Sequence, residues 1–488
     1  MPHSQYVFRP NTLYYGDCLE VMKQWEAGCV DLIYLDPPFN SKADYNVIYG
    51  KDQKGMPLDE RAQFFAFGDT WYWNDNAVRR VREISAAIAH PAHRAIKGLA
   101  EMLPETGMLA YLSYMAERIA EMKRVLKDTG SIYLHCDPTA SHYLKTIMDC
   151  VFGAKNFRNE IVWCYPPTGK GLKYGFHRKH DVIFYYGKSE SGVFNRPYTA
   201  MTEATKKAYS AVDKDGRRYS KAHGKVTYLD EIKGRPVPSW WPDCGSGSHM
   251  SNKEKTGYPT QKPLALLKRI VKASSNKNDI VLDPFCGCGT TAEAALKLGR
   301  RLVGIDISPY AITRICRDRL KQVGDVEARG LPINMDSARK MAKDDPFLFE
   351  QWAVTTLPGF EPNQKQTGDG GVDGRGLLLH PPDGESKICV AQVKGGGYSP
   401  DSLRALLSKI TGGHASLGIF VTLDKMPDTN KTARACVADA GQLHEGAKTF
   451  DRLLFWSMEE HFAGRKLHLP AMAHPRTGKA LQDMIPSG

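Results

Sequence analysis

The chain has 488 residues, 42% hydrophobic and 25% charged, enough apolar content for sizeable cores and a length that suggests roughly two to four domains. Its net charge of +12 and isoelectric point near 9.0 favour an anionic partner, nucleic acid first. Eleven cysteines without a CxxC pair argue against a disulfide framework or a zinc knuckle; with no leader and no apolar run of about 18 residues, neither secretion nor a membrane span is expected, and a cytoplasmic location is.

Residues 11–20 read as a short strand turning at Gly16-Asp17, with Asp17 placed to cap a helix over Leu19–Trp25. The apolar run Cys29–Leu35 reads as a buried strand that ends in Asp36-Pro37-Pro38-Phe39. The acid can accept a hydrogen bond from an amino group, the prolines remove N–H donors and leave carbonyls unopposed, and the aromatic ring can stack on a flat base. Taken alone, this stretch fits an ordinary strand-end loop as well as a site for an exocyclic amine. The aromatics at 64–67 and 71–73 are expected to pack locally, with a lid or a DNA groove as the alternative.

A helix is expected over 111–127, stopping at Asp128-Thr129-Gly130, with a strand Ser131–Cys136 after it. His135 and Asp137 at that strand end read as a structural pair or as site residues. Strands follow at 161–164 and 181–186. Between Gly169 and Arg235, 15 Lys and Arg face 7 Asp and Glu, a net of +8, with Tyr198, Tyr209, Tyr219 and Tyr228 interleaved. That composition suits a chain tracking phosphates and bases; a solvated face is the alternative.

Beyond Gly257–Pro263 come a helix Leu264–Ala273, a strand Asp279–Asp283, the turn Pro284–Thr291, a helix Ala292–Leu298, a strand Arg301–Asp306 and a helix to residue 322. Gly287 and Gly289 let the backbone pass close beneath a ligand at a helix N-terminus. Asp306 stands where nucleotide-binding folds place an acid on ribose hydroxyls. An acid directly before the glycines is poorly suited to pyrophosphate and well suited to a cationic, amino-acid-bearing nucleoside such as S-adenosylmethionine. Residues 324–345 are polar and read as a linker; a helix near Phe347–Ala353, strands Ile388–Val393 and Leu417–Thr422, and a helix Asp401–Lys409 make a further α/β unit to residue 466. The tail, 467–488, is expected to be loose.

Together these stretches resemble the amino-group DNA methyltransferases, which methylate adenine N6 or cytosine N4, in the permuted order with the catalytic motif before the cofactor motif. The resemblance rests on Gly16-Asp17, Asp36-Pro37-Pro38-Phe39, Pro259-Thr260-Gln261-Lys262-Pro263, the 283–291 turn and Asp306. It implies a Rossmann-like α/β methyltransferase domain over 1–323, with a target-recognition region near 165–250. S-adenosylmethionine would lie against Asp283, Phe285, Gly287, Gly289 and Thr290, with Asp306 on the ribose and Asp17 facing the adenine amino group. Lys262 and Pro263 would close the pocket near the methionine end. In the catalytic motif Asp36-Pro37-Pro38-Phe39, Asp36 and the Pro37 carbonyl would accept hydrogen bonds from the target amine, and Phe39 would stack on a base flipped out of double-stranded DNA. An acid-led motif leans towards adenine N6, with cytosine N4 as the alternative. The region 346–466 resembles the Mrr-like branch of the PD-(D/E)xK nucleases through Glu350, Asp373, Gln392 and Lys394. This implies a smaller restriction-endonuclease-like domain with Mg²⁺ on Asp373, or else a domain that only binds DNA. A monomer and a dimer both stay open.

Overall fold

The computed structural model describes residues 6–38, 44–48, 63–68, 71, 73–166, 176–177, 179–222, 224–245, 250–251, 254–256, 258, 260–363, 371–381, 387–427, 429–473 and 480–481. The larger sheet is built from β1 (Thr12–Tyr15), β2 (Val30–Leu35), β3 (Leu126–Cys136), β4 (Phe157–Cys164), β5 (His180–Gly187), β6 (Trp240–Trp241), β7 (Ile280–Asp283), β8 (Arg301–Asp306) and β9 (Glu327–Arg329). Their order is β6-β4-β5-β3-β2-β7-β8-β1-β9. From β3 to β9 every pairing is parallel, and β5 runs antiparallel to both β3 and β4.

Both faces of the central strands are covered, which is why they read as unbroken apolar runs. Successive side chains point to opposite faces. In β2, Ile33 and Leu35 enter one core and Leu32 and Tyr34 the other; in β7, Leu282 and Val281 divide the same way. The first core is closed by α1 (Cys18–Met22), α2 (Gly107–Val125) and α3 (Ser141–Phe152), and the second by α4 (Leu264–Ala273) and α5 (Thr290–Lys297). Along α2, Leu109, Leu112, Met115, Ala116, Ile119 and Met122 recur at helical spacing and are almost wholly buried. Each large aliphatic side chain among them is worth about 1.5–3 kcal/mol relative to exposure.

Asp31, at the start of β2, is the polar tie that sets the middle of the sheet. Its carboxylate accepts from the Ile280 N–H of β7 at 2.9 Å and from Lys127 Nζ of β3 at 2.7 Å. The basic segment, which has no periodicity in sequence, forms small antiparallel ladders. Ala211–Val212, Arg218–Ala222 and Lys225–Tyr228 make one, and Tyr198–Thr199 with Arg235–Pro236 the other. Arg217 there is tied to Asp230 and Glu231 and lies over the Tyr228 ring.

The second unit has a sheet of β10 (Phe360–Pro362), β11 (Gly374–Leu378), β12 (Ile388–Lys394), β13 (Leu417–Thr422) and β14 (Leu453–Ser457), in that order. The β12-β13-β14 pairings are parallel and the β10-β11-β12 pairings antiparallel. Two expectations from the sequence are corrected by this unit. Residues 324–345 are not a plain linker: β9 extends the larger sheet beside β1, and the helix Met335–Asp344, with an Asn334–Ser337 capping box, buries Ala338 and Ala342 in the second unit's core. The tail is not loose throughout, because Met472–Ala473 pairs with β11 and Leu467 and Leu469 pack on the same core. The two units also touch directly. The Tyr310 hydroxyl bonds the buried Glu361 carboxylate, and Arg314 Nη2 donates to the Thr355 carbonyl at 3.2 Å.

Candidate active site

Adjacent parallel strands deliver the motifs to one edge. At their carboxyl ends, β2 gives Asp36, β7 gives Asp283, β8 gives Asp306 and β1 gives Gly16, and the strands lie side by side in the order β2-β7-β8-β1. A crevice at the carboxyl ends of such strands is where open α/β sheets take ligands. The cavity there has an empty volume of about 1030 Å³ counting its open mouth. Asp36, Pro37, Pro38, Lys262, Asp283, Phe285, Gly287, Thr290 and Asp306 all line it.

The floor is anionic. Burial pushes the Asp283 carboxyl up to about 7, against hydrogen bonds from Thr291 and the Phe285 N–H and with the charges of Asp36 and Asp306 adding to the rise. Burial likewise lifts Asp306 to about 6, although the Ser308 and Gly287 N–H groups each donate to it at 2.8 Å. Two buried carboxyls that hold their protons this tightly need a cation to ionise comfortably. Asp36 already has one, since its Oδ2 lies 2.5 Å from Lys262 Nζ. Its Oδ1 is buried with no hydrogen-bond partner among the described residues. A buried acceptor in that state costs stability until a donor arrives. A ligand with a positive centre for Asp283 and Asp306, and an N–H for Asp36, fits the residues present.

Gly287 has φ +47°, and a Cβ there would lie 3.1 Å from the Tyr258 ring. The turn therefore keeps a bare backbone against the cavity. The helix expected after Asp306 is present, but its first part, Ala311–Cys316, is a π-helix that brings Cys316 Sγ to 3.1 Å from the Gly287 carbonyl. Such irregular turns are frequent at functional sites.

Several expected residues sit differently. Asp17 does not line the cavity. Its Oδ1 caps α1 by accepting from the Leu19 N–H at 2.8 Å, and its Oδ2 pairs with Arg118 Nη2 at 2.5 Å, so Gly16 and Cys18 take the wall instead. Gly289 does not line the cavity and takes a left-handed conformation at the N-terminus of α5. Pro263 is the residue before α4 and also lies off the wall. Phe39 and Pro259 fall outside the described residues.

Sequence reasoning missed Tyr34, Tyr258, Thr291 and Ile307, which also line the cavity. Tyr34 had a legible signal: it lies two residues before Asp36 in a strand, on the same face. Thr291 stands within the 283–291 turn and supplies the hydrogen bond to Asp283.

In the second unit, Asp373 precedes β11 and its Oδ2 accepts from the Val393 N–H at 2.7 Å, which sets it against Gln392 and Lys394 on β12. Gln392 Oε1 is buried with no hydrogen-bond partner among the described residues. Glu350 lies on the helix Pro346–Thr355, whose Phe349 and Val354 share a core with β12. Among the described residues no group of three or more His, Cys, Asp or Glu side chains could hold a metal. Asp373 and the Gln392 amide supply oxygen donors of the kind a hard cation takes. Residues 368–370, just ahead of Gly371, lie outside the described residues.

A family model for DNA methylases of the N6/N4 type matches residues 30–317, more than half of the chain and the whole span from Asp36 to Asp306. The chain belongs to the N6/N4 DNA methylase family. It is 30% identical over 258 residues to type II methyltransferase M.HpaI of Haemophilus parainfluenzae, covering 52% of this chain and 73% of that one. It is 28% identical over 298 residues to the DNA adenine methyltransferase YhdJ of Escherichia coli, covering 61% and 78%. Against type II methyltransferase M.EcaI of Enterobacter cloacae it is 28% identical over 258 residues; the match takes in 43% of this chain and only 57% of that relative. The family model ends at residue 317, ahead of the second unit of this N6/N4 methylase.

Proposed function

We propose that this N6/N4 methylase transfers a methyl group from S-adenosylmethionine to adenine N6 in double-stranded DNA, in the permuted arrangement of its family. The observation that carries the reading is the buried Asp36 Oδ1, unpartnered among the described residues, in one cavity with Asp283, Gly287 and Asp306. When bound, S-adenosylmethionine supplies an electrophilic methyl on a sulfonium. Asp283, Phe285, Gly287, Thr290 and Asp306 would hold it, the two carboxylates meeting its positive amino-acid end and its ribose. Asp36 Oδ1 accepts one N–H of the target amine and the Pro37 carbonyl accepts the other, turning the nitrogen lone pair out of conjugation with the ring. With the methyl delivered to that nitrogen, Asp36 Oδ1 would take the proton the nitrogen loses, so the exchange of the methyl–sulfur bond for the new N–C bond would leave no charge stranded on the base. Much of the rate then comes from orientation. The base must leave the duplex for its amine to reach Asp36, and the basic segment 169–235 is suited to holding the strands.

The adenine reading rests on the acid-led motif and on the relative from Escherichia coli named for adenine. Plasmid DNA incubated with labelled S-adenosylmethionine and digested to nucleosides should give label in N6-methyladenine. Label in N4-methylcytosine would overturn the adenine choice while leaving the family intact.

A second activity is favoured by one contact, the Asp373–Val393 bond that sets Asp373 against Gln392 and Lys394. In this reading the C-terminal unit is a Mg²⁺-dependent DNA endonuclease. Asp373 and the Gln392 amide oxygen would hold the ion, Lys394 would orient the attacking water, and Glu350 would lie nearby. The alternative is a unit that only grips DNA. Nicking of unmethylated plasmid with Mg²⁺ separates them.

A further inference from the structure

Behind Asp36 runs a buried polar chain to which the proposed reaction gives no role. Tyr34 lies on the cavity wall, and its hydroxyl is 2.8 Å from His135 Nδ1. His135 is wholly buried, and its Nε2 is 3.1 Å from Asp181 Oδ2. The other Asp181 oxygen accepts from the Tyr165 hydroxyl at 3.2 Å. The Trp163 ring meets the His135 ring edge-on, with centroids 5.5 Å apart. Burial raises the Asp181 carboxyl, but the His135 bond, the charge of Lys262 and the Tyr165 bond bring it below its ordinary value. Lys262 thus bears on two carboxylates. It touches Asp36 directly and acts on Asp181 through its charge. Tyr34, His135, Tyr165 and Asp181 are hydrogen-bonded in series, and Lys262 pairs with Asp36, so residues far apart in sequence meet here. Buried polar networks of this kind rigidify what they touch when their members are satisfied.

We infer that Tyr34, His135, Asp181 and Lys262 form a positioning network that holds Asp36 with Oδ2 clamped and Oδ1 turned to the incoming amine. The inference rests on the reading of Asp36 as acceptor of the target amine. Lys262 then does more than close the cofactor pocket: it selects which Asp36 oxygen is left for the substrate. With the Tyr34 hydroxyl donating to Nδ1, the Nε2–H of His135 is directed at Asp181, so the imidazole ties the two ends of the chain together. A misplacement of about 1 Å at a reacting group costs about a hundredfold in rate, so loss of the chain should be felt in chemistry rather than in binding.

The test is a single-turnover assay with unmethylated plasmid and tritiated S-adenosylmethionine, alongside direct measurement of cofactor affinity. In His135→Phe the transfer rate should fall about thirtyfold, and in Tyr34→Phe about fivefold, with cofactor Kd within about twofold of the parent. Members of one network are non-additive. Lys262→Gln combined with His135→Phe should therefore be no slower than the worse single variant. Tyr34→Phe removes only a hydroxyl and keeps the inference exposed even if His135→Phe folds poorly. Parent-like rates in both Tyr34→Phe and His135→Phe would refute the network. So would a cofactor Kd change equal to the whole rate loss, or a fully additive double variant. Asp36→Ala is the control: transfer surviving in it would sink the proposed role of Asp36, whereas its loss alongside parent-like rates in Tyr34→Phe and His135→Phe would sink the network alone.

Discussion

The two buried carboxyls at the cavity floor make cofactor affinity depend on pH in a way that can be worked from the structure. Asp283 stands at about 7 and Asp306 at about 6, both raised chiefly by burial. A cationic ligand binds their ionised forms, so protons must leave before it settles. Lowering the pH from 7.5 to 5.5 should then weaken S-adenosylmethionine about 25-fold through Asp283 and about fourfold through Asp306, together about a hundredfold or ~2.7 kcal/mol. At pH 7.5 about two thirds of the ligand's own α-amino group is still protonated, and nearly all of it at pH 5.5, so its titration opposes the carboxyl effect by less than about twofold. Calorimetric titration in buffers of different ionisation enthalpy should also show about one proton released per ligand near pH 6.5. Asp283→Asn should bind more weakly at every pH and shrink the pH effect to about fourfold. The sign for the free protein is opposite. A carboxyl with a raised folded-state pKa lends stability below its unfolded value that is lost as pH rises through the folded one. The cofactor's thermal stabilisation should therefore grow between pH 5.5 and 7.5. An affinity constant to within twofold over that window would refute the assignment of these carboxyls to a cationic ligand.

Asp36→Ala should abolish methyl transfer while leaving S-adenosylmethionine affinity within severalfold; loss of cofactor binding in that variant would mean that Asp36 has been given the wrong partner. Gly289→Ala should lower stability by about 1–3 kcal/mol, read as a fall in Tm, because φ is +75° and the new Cβ would lie 3.0 Å from Cys316 Sγ. An unchanged Tm would show that the turn relaxes freely. Asp373→Ala and Lys394→Ala should each abolish any Mg²⁺-dependent nicking and spare methyl transfer, and a parent protein that never cuts DNA in any methylation state would remove the nuclease reading.

Much of the methylase unit is legible in the amino-acid sequence. Its strands are buried on both faces, so β2, β7 and β8 appear as continuous apolar runs closed by an acid. The glycine turn shows because Gly287 and Gly289 need conformations that other residues resist. Those signals are local in sequence. The segment 211–228 hides its strands because ladders with little burial carry no apolar alternation, and β9 hides because a three-residue edge strand is recruited by its neighbour β1 rather than by its own pattern. What only the tertiary structure decides is which groups meet. Sheet order sets β2 against β7 through Asp31, brings Lys262 to Asp36 across 226 residues, and joins Tyr34 to His135 across 101. It also turns Asp17 away from the cavity to Arg118. A side chain's role depends on the partner within about 3 Å, and for these residues that partner comes from a distant segment placed by strand order, which no local pattern encodes.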